Sequence, residues 1–60
     1  MEQKGRVYLF EGGEVAVWWD GCVCIKTDNR NHDPVELSED EGLELAKVLK
    51  YLTENGGNED

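Results

Sequence analysis

The chain has 60 residues, with 14 Asp and Glu against 6 Lys and Arg and a net charge of −8. That length makes one domain, 1–60, able to bury only about 60% of the surface its unfolded form exposes. The charge argues against direct contact with nucleic acid or an anionic membrane and suits a basic protein partner.

A hydrophobic fraction of 38% beside a charged fraction of 33% describes a globular chain rather than a disordered one. No stretch of about 18 apolar residues is available to span a membrane. The opening MEQKGR is polar and runs straight into an apolar strand, unlike a secretory leader. The expectation is therefore a cytoplasmic protein with reduced thiols.

The first predicted strand covers about 6–10, RVYLF, rich in β-branched and aromatic residues. Glu11 to Glu14, EGGE, is a turn, because glycine supplies the positive φ that hairpins need. The second strand covers about 15–20, VAVWWD, and Asp20-Gly21 signals a two-residue hairpin into a third strand at about 22–27, CVCIKT. A polar loop follows over 28–37.

A helix is predicted over about 39–54. Ser38 is its N-cap and Glu41, three residues on, completes a capping box. Glu39, Asp40 and Glu41 occupy the first turn, where the helix dipole favours acids. Gly56 or Gly57 ends the helix, Gly42 weakens it, and the tail 56–60 is expected to be mobile. The fold class is α+β: a three-stranded antiparallel meander in the order β-β-β-α, with the C-terminal helix packed on one face.

Adjacent strand side chains point to opposite faces, so Trp18 and Trp19 cannot share one core. A Gly12-Gly13 turn sets Phe10 opposite Val15, Leu9 opposite Ala16 and Tyr8 opposite Val17. A two-residue Asp20-Gly21 turn sets Trp19 opposite Cys22 and Trp18 opposite Val23. One face then carries Val7, Leu9, Ala16, Trp18, Val23 and Ile25, and the helix is expected to cover it with Leu45, Ala46, Leu49, Leu52 and, at the edge, Val48. The other face presents Tyr8, Phe10, Val17 and Trp19 to a partner or to a second copy of the chain, unless the 28–37 loop or a curled sheet covers part of it.

Cys22 and Cys24 lie two residues apart on one strand, about 6.5–7 Å between Cα atoms, at or beyond disulfide reach. They read as small apolar strand residues; a metal-linked or redox role is the alternative, although two Cys and a distant His32 fall short of a tetrahedral zinc set. No cofactor and no metal is expected. No catalytic residue is expected either: no base is paired with either thiol, and Ser38 is explained as a helix cap. The segment DNRNHD has oxygen ligands without the spacing of a calcium loop. Leu43 and Tyr51 fall outside the apolar stripe, as partly exposed side chains or as interface anchors.

Between Asp33 and Glu44 stand six acids and no base. One reading is helix stabilisation and solubility. The other is a recognition surface in which Glu36, Glu39, Asp40, Glu41 and Glu44 present carboxylates to Lys and Arg sites that normally hold phosphates.

On the run DPVELSEDEGLE and the overall charge, the chain resembles the small acidic phage-encoded inhibitors of host defence, notably anti-CRISPR proteins of the DNA-mimic kind. The resemblance is one of class. It implies a non-enzymatic inhibitor that docks on a basic, nucleic-acid-binding surface of a host protein. The competing expectation is a small homodimeric regulatory module using the aromatic face, Tyr8, Phe10, Val17 and Trp19. A Cys-based metal-binding module stands behind both.

Overall fold

The computed structural model describes residues 1–28 and 34–56. Residues 29–33 of the predicted loop, His32 and Asp33 among them, and the tail 57–60 lie outside the described residues. The elements are β1 (Glu2–Lys4), β2 (Val7–Phe10), β3 (Val15–Trp19), β4 (Val23–Thr27) and α1 (Glu39–Asn55). The four strands form one antiparallel sheet in sequence order, with α1 across one face: an α+β fold with one more strand than predicted.

The additional strand, β1, is wholly exposed and polar. It pairs Glu2 with Leu9, Gln3 with Tyr8 and Lys4 with Val7. Such a strand carries no hydrophobic alternation to announce it. Its signal is the Gly5-Arg6 dipeptide before an apolar run, with Gly5 at φ 60°, the positive φ that primed two-residue turns use at their first position.

The β2–β3 register is the expected one, with Tyr8 opposite Val17, Leu9 opposite Ala16 and Phe10 opposite Val15. The β3–β4 register is not. Trp19 pairs with Val23, Trp18 with Cys24, Val17 with Ile25 and Ala16 with Lys26. The loop therefore holds three residues, Asp20 to Cys22, with Gly21 at φ 76°. A one-residue shift exchanges the faces of a whole strand. Here it sends Val23 to the helix side and Cys24 to the opposite side.

The helix covers the aromatic face, which corrects the predicted orientation of the sheet. Phe10, Val15 and Val17 are buried against Val48 and Leu52, with Tyr8, Trp19, Val23, Val35, Leu37, Leu45 and Leu49 packed around them. Phe10 is 1% exposed and Val17 0%. The cause is area: this face offers Val15, Val17, Val23 and Ile25 together with Phe10, Tyr8 and Trp19, whereas the other has Ala16 at its centre among Val7, Leu9 and Trp18. Each large apolar side chain taken fully out of water contributes about 1.5–3 kcal/mol, so the larger face captures the helix. On α1 the buried stripe is Leu45, Val48, Leu49 and Leu52, spaced i, i+3, i+4, i+7. Val48 sits at its centre rather than its edge, and Ala46 is exposed.

Candidate functional site

The acidic residues are drawn together by one contact between the sheet and the helix. Ser38 caps α1, its Oγ accepting from the Glu41 N–H at 3.2 Å. The Glu41 carboxylate reaches across the sheet end, and its Oε2 accepts from the Glu11 N–H at 2.9 Å. Glu11 opens the β2–β3 turn at φ 50°, a left-handed conformation that disfavours a residue with a Cβ. The bond to Glu41 is the compensating contact visible at that position.

The two side chains also share a hydrogen bond. That bond, and then the charge of Glu41, hold the Glu11 carboxyl above its ordinary value of 4.5; Glu14 and Glu36 add like charge from nearby. Glu41 is shifted the other way, lowered chiefly by the backbone N–H of Glu11. Of the two, Glu11 is therefore the carboxyl that takes up a proton first as pH falls. Glu44, one helical turn from Glu41, meets the amino group of Met1 at 3.3 Å.

Of the predicted acidic residues, Glu36, Glu39 and Asp40 are exposed, and Glu41 and Glu44 are half-buried. Glu41 is a structural tie as well as a surface charge. The fold adds Glu11 and Glu14, which the helix pattern did not reveal. Their signal in the sequence is the EGGE turn, but only the packing of α1 across the sheet brings that turn to the helix start.

The aromatic residues proposed for a partner are accounted for differently. Phe10 and Val17 are core, and Tyr8 and Trp19 pack against it. A face already covered by α1 is unavailable to a second protein. Tyr8 and Trp19 line a cleft of about 180 Å³ together with Gln3, Gly5, Arg6, Tyr51 and Leu52. Leu43 and Tyr51 are exposed, at 64% and 52%.

Cys22 sits in the turn, not in a strand, and its Sγ is 4.0 Å from that of Cys24, far outside the ~2.05 Å of a disulfide bond. Partial burial, followed by the neighbouring Cys22, pushes the Cys24 thiol up. Among the described residues, no three His, Cys, Asp or Glu side chains come together as a metal-ligand set. No helix among them is long and apolar enough to cross a membrane.

No family model matches the chain, and neither the curated proteins nor the solved structures contain a significant match to it.

Proposed function

We propose that the protein is a non-enzymatic interaction protein whose acidic end docks on a basic, nucleic-acid-binding surface, in the manner of DNA-mimic inhibitors such as the anti-CRISPR class. The observation that supports this reading is the gathering of Glu11 and Glu14 with Glu36, Glu39, Asp40, Glu41 and Glu44 at one end of the sheet and helix, tied by the Glu11–Glu41 bond. Acids that served only the helix would remain on the helix. Here a turn 30 residues away contributes to the same end, at the cost of a left-handed Glu11.

A rigid group of carboxylates on a capped helix start presents charge without having to order a flexible segment first, which limits the entropic cost of binding. Charge complementarity of this kind governs encounter rate and partner choice, and it weakens with salt.

The test is a pull-down from a bacterial lysate containing CRISPR effector complexes, with washes of increasing salt. A triple variant, Glu39→Lys, Asp40→Lys and Glu44→Lys, runs beside the wild type after circular dichroism has confirmed its fold. The expected result is a nucleic-acid-binding partner that leaves at moderate salt, is competed off by DNA, and is absent with the variant. Equal retention of the partner by both proteins would refute the acidic end as the docking surface.

A further inference from the structure

The face of the sheet turned away from α1 has no cover among the described residues. Its side chains fall in two cross-strand rows, read from the observed registers. One row runs Lys4, Val7, Trp18, Cys24; the other runs Glu2, Leu9, Ala16, Lys26. The five apolar or thiol residues in the middle are all half-buried, and Glu2, Lys4 and Lys26 at the two edges are exposed. Over Ala16 lies an open hollow of about 340 Å³, bounded by Gly13, Glu14, Lys26 and Asp28.

We infer that this face is a dimerisation surface for a second copy of the chain, packed face to face about a two-fold axis running across the strands. The argument is self-complementarity. A two-fold in that direction lays one row over the other. Trp18, the largest residue of the face, then stands over the hollow at Ala16 of the second copy, and Val7 stands over its Leu9. Lys4 meets Glu2 of the second copy, and symmetry forms this ion pair twice, as an isologous interface requires.

The alternative two-fold, along the strands, lays each row over itself. It would bring the Glu14 and Asp28 end of one copy onto the same end of the other, an unfavourable meeting for chains of charge −8. It also sets Trp18 over Val7, away from the hollow, although it pairs Glu2 with Lys26 of the second copy; the crosswise axis instead sets the Glu14 and Asp28 end over the Asp20–Cys22 loop, where Asp20 is the one acid it meets, and keeps Trp18 over the hollow.

The rest of the charge is kept apart. The helices lie on the outer sides of the paired sheets, so their acidic first turns are separated by ~20 Å or more. That exceeds the Debye length of ~8 Å at physiological salt.

The size of the face sets the strength. Four strands ~4.8 Å apart and about five residues long give a footprint of roughly 300 Å² per copy. A standard interface uses about 800 Å² per partner. The dimer is therefore weak and populated at high protein concentration.

The test is sedimentation equilibrium, under reducing conditions, from about 10 μM to about 1 mM, the range in which weak complexes populate. The wild type should move from the 6.8 kDa chain mass toward twice that value. Trp18→Lys should stay at the chain mass throughout, whereas Tyr51→Lys, on the exposed side of α1, should follow the wild type. Circular dichroism confirms the fold of each. Glu2→Lys alone should weaken association at least tenfold, and the exchanged variant Glu2→Lys with Lys4→Glu should restore it, since the swap rebuilds both ion pairs at unchanged net charge. A wild type that stays at the chain mass up to about 1 mM, or a Trp18→Lys variant that still dimerises, would overturn the proposal. Failure of the exchanged variant to regain association would overturn the crosswise arrangement. The outcome is independent of whether the acidic end docks on a basic surface.

Discussion

The same substitution, glycine to alanine, should have opposite effects at two positions, one inside α1 and one at its C-cap. Gly56 follows the last turn of the helix with φ −57° and ψ −42°, ordinary right-handed values, so no left-handed cap requires glycine there. What requires it is Trp19. A Cβ built on Gly56 would overlap Cδ2 and Cε2 of the indole and lie 2.7 Å from Cε3. Ordinary carbon contacts begin near 3.5 Å, so the ring or the helix end must move by roughly 1 Å. The ring is wedged against the core, and overpacking of this kind costs about 1–3 kcal/mol. Against it stands the helical preference for alanine, at most about 1 kcal/mol and less at a helix end. The net expectation for Gly56→Ala is a loss of about 1–2 kcal/mol.

At Gly42 a Cβ meets nothing within 4 Å. Gly42→Ala should therefore gain about 0.5–1 kcal/mol from propensity alone. Urea unfolding followed by near- and far-ultraviolet circular dichroism measures both. For a domain of this size each kcal/mol corresponds to about 4–8 °C in Tm. A Trp19→Leu background should remove the penalty of Gly56→Ala, and the double-mutant cycle isolates that coupling. If Gly56→Ala stabilises the protein as much as Gly42→Ala does, the close packing of Trp19 on the helix end is wrong.

Two further predictions concern the core and the acid pair. Phe10→Ala should cost about 3–5 kcal/mol, a large part of the ~3–9 kcal/mol that a 60-residue domain holds, whereas Leu9→Ala on the open face should cost far less; equal losses in urea melts would contradict the orientation of the sheet. Glu11, raised above 4.5, contributes stability that is present below that value and lost as pH rises through its folded value. Glu41, lowered, contributes stability that is present above 4.5 and lost as pH falls through its folded value. Tm should accordingly rise on acidification from neutrality, peak between the two folded values and fall below them, with a flatter rise in Glu11→Gln. A Tm that declines steadily from pH 7 would contradict the opposite shifts of the two carboxyls.

Local pattern settled most elements. The Ser38 cap, the acids after it and the Leu45–Leu52 spacing specify α1 within the chain's own neighbourhood, because capping and helical periodicity are short-range. Phe10, Val15 and their neighbours likewise set the β2–β3 register through the EGGE turn. β1 was hidden for the converse reason: a polar edge strand is held by backbone bonds to β2 and contributes no apolar period.

Three features were decided by the tertiary structure. The length of the Asp20–Cys22 loop fixed the side on which Cys24 lies, a choice that alternation alone leaves open by one residue. The covered face was selected by competition for a single helix, and competition between two apolar faces depends on their total areas rather than on any one strand. The acidic end acquired Glu11 and Glu14 only when α1 crossed the sheet, because charges distant in sequence become neighbours through packing. The 60 residues by themselves determined an acidic α+β chain with a capped C-terminal helix; the docking of that helix determined which side chains were left to meet another molecule.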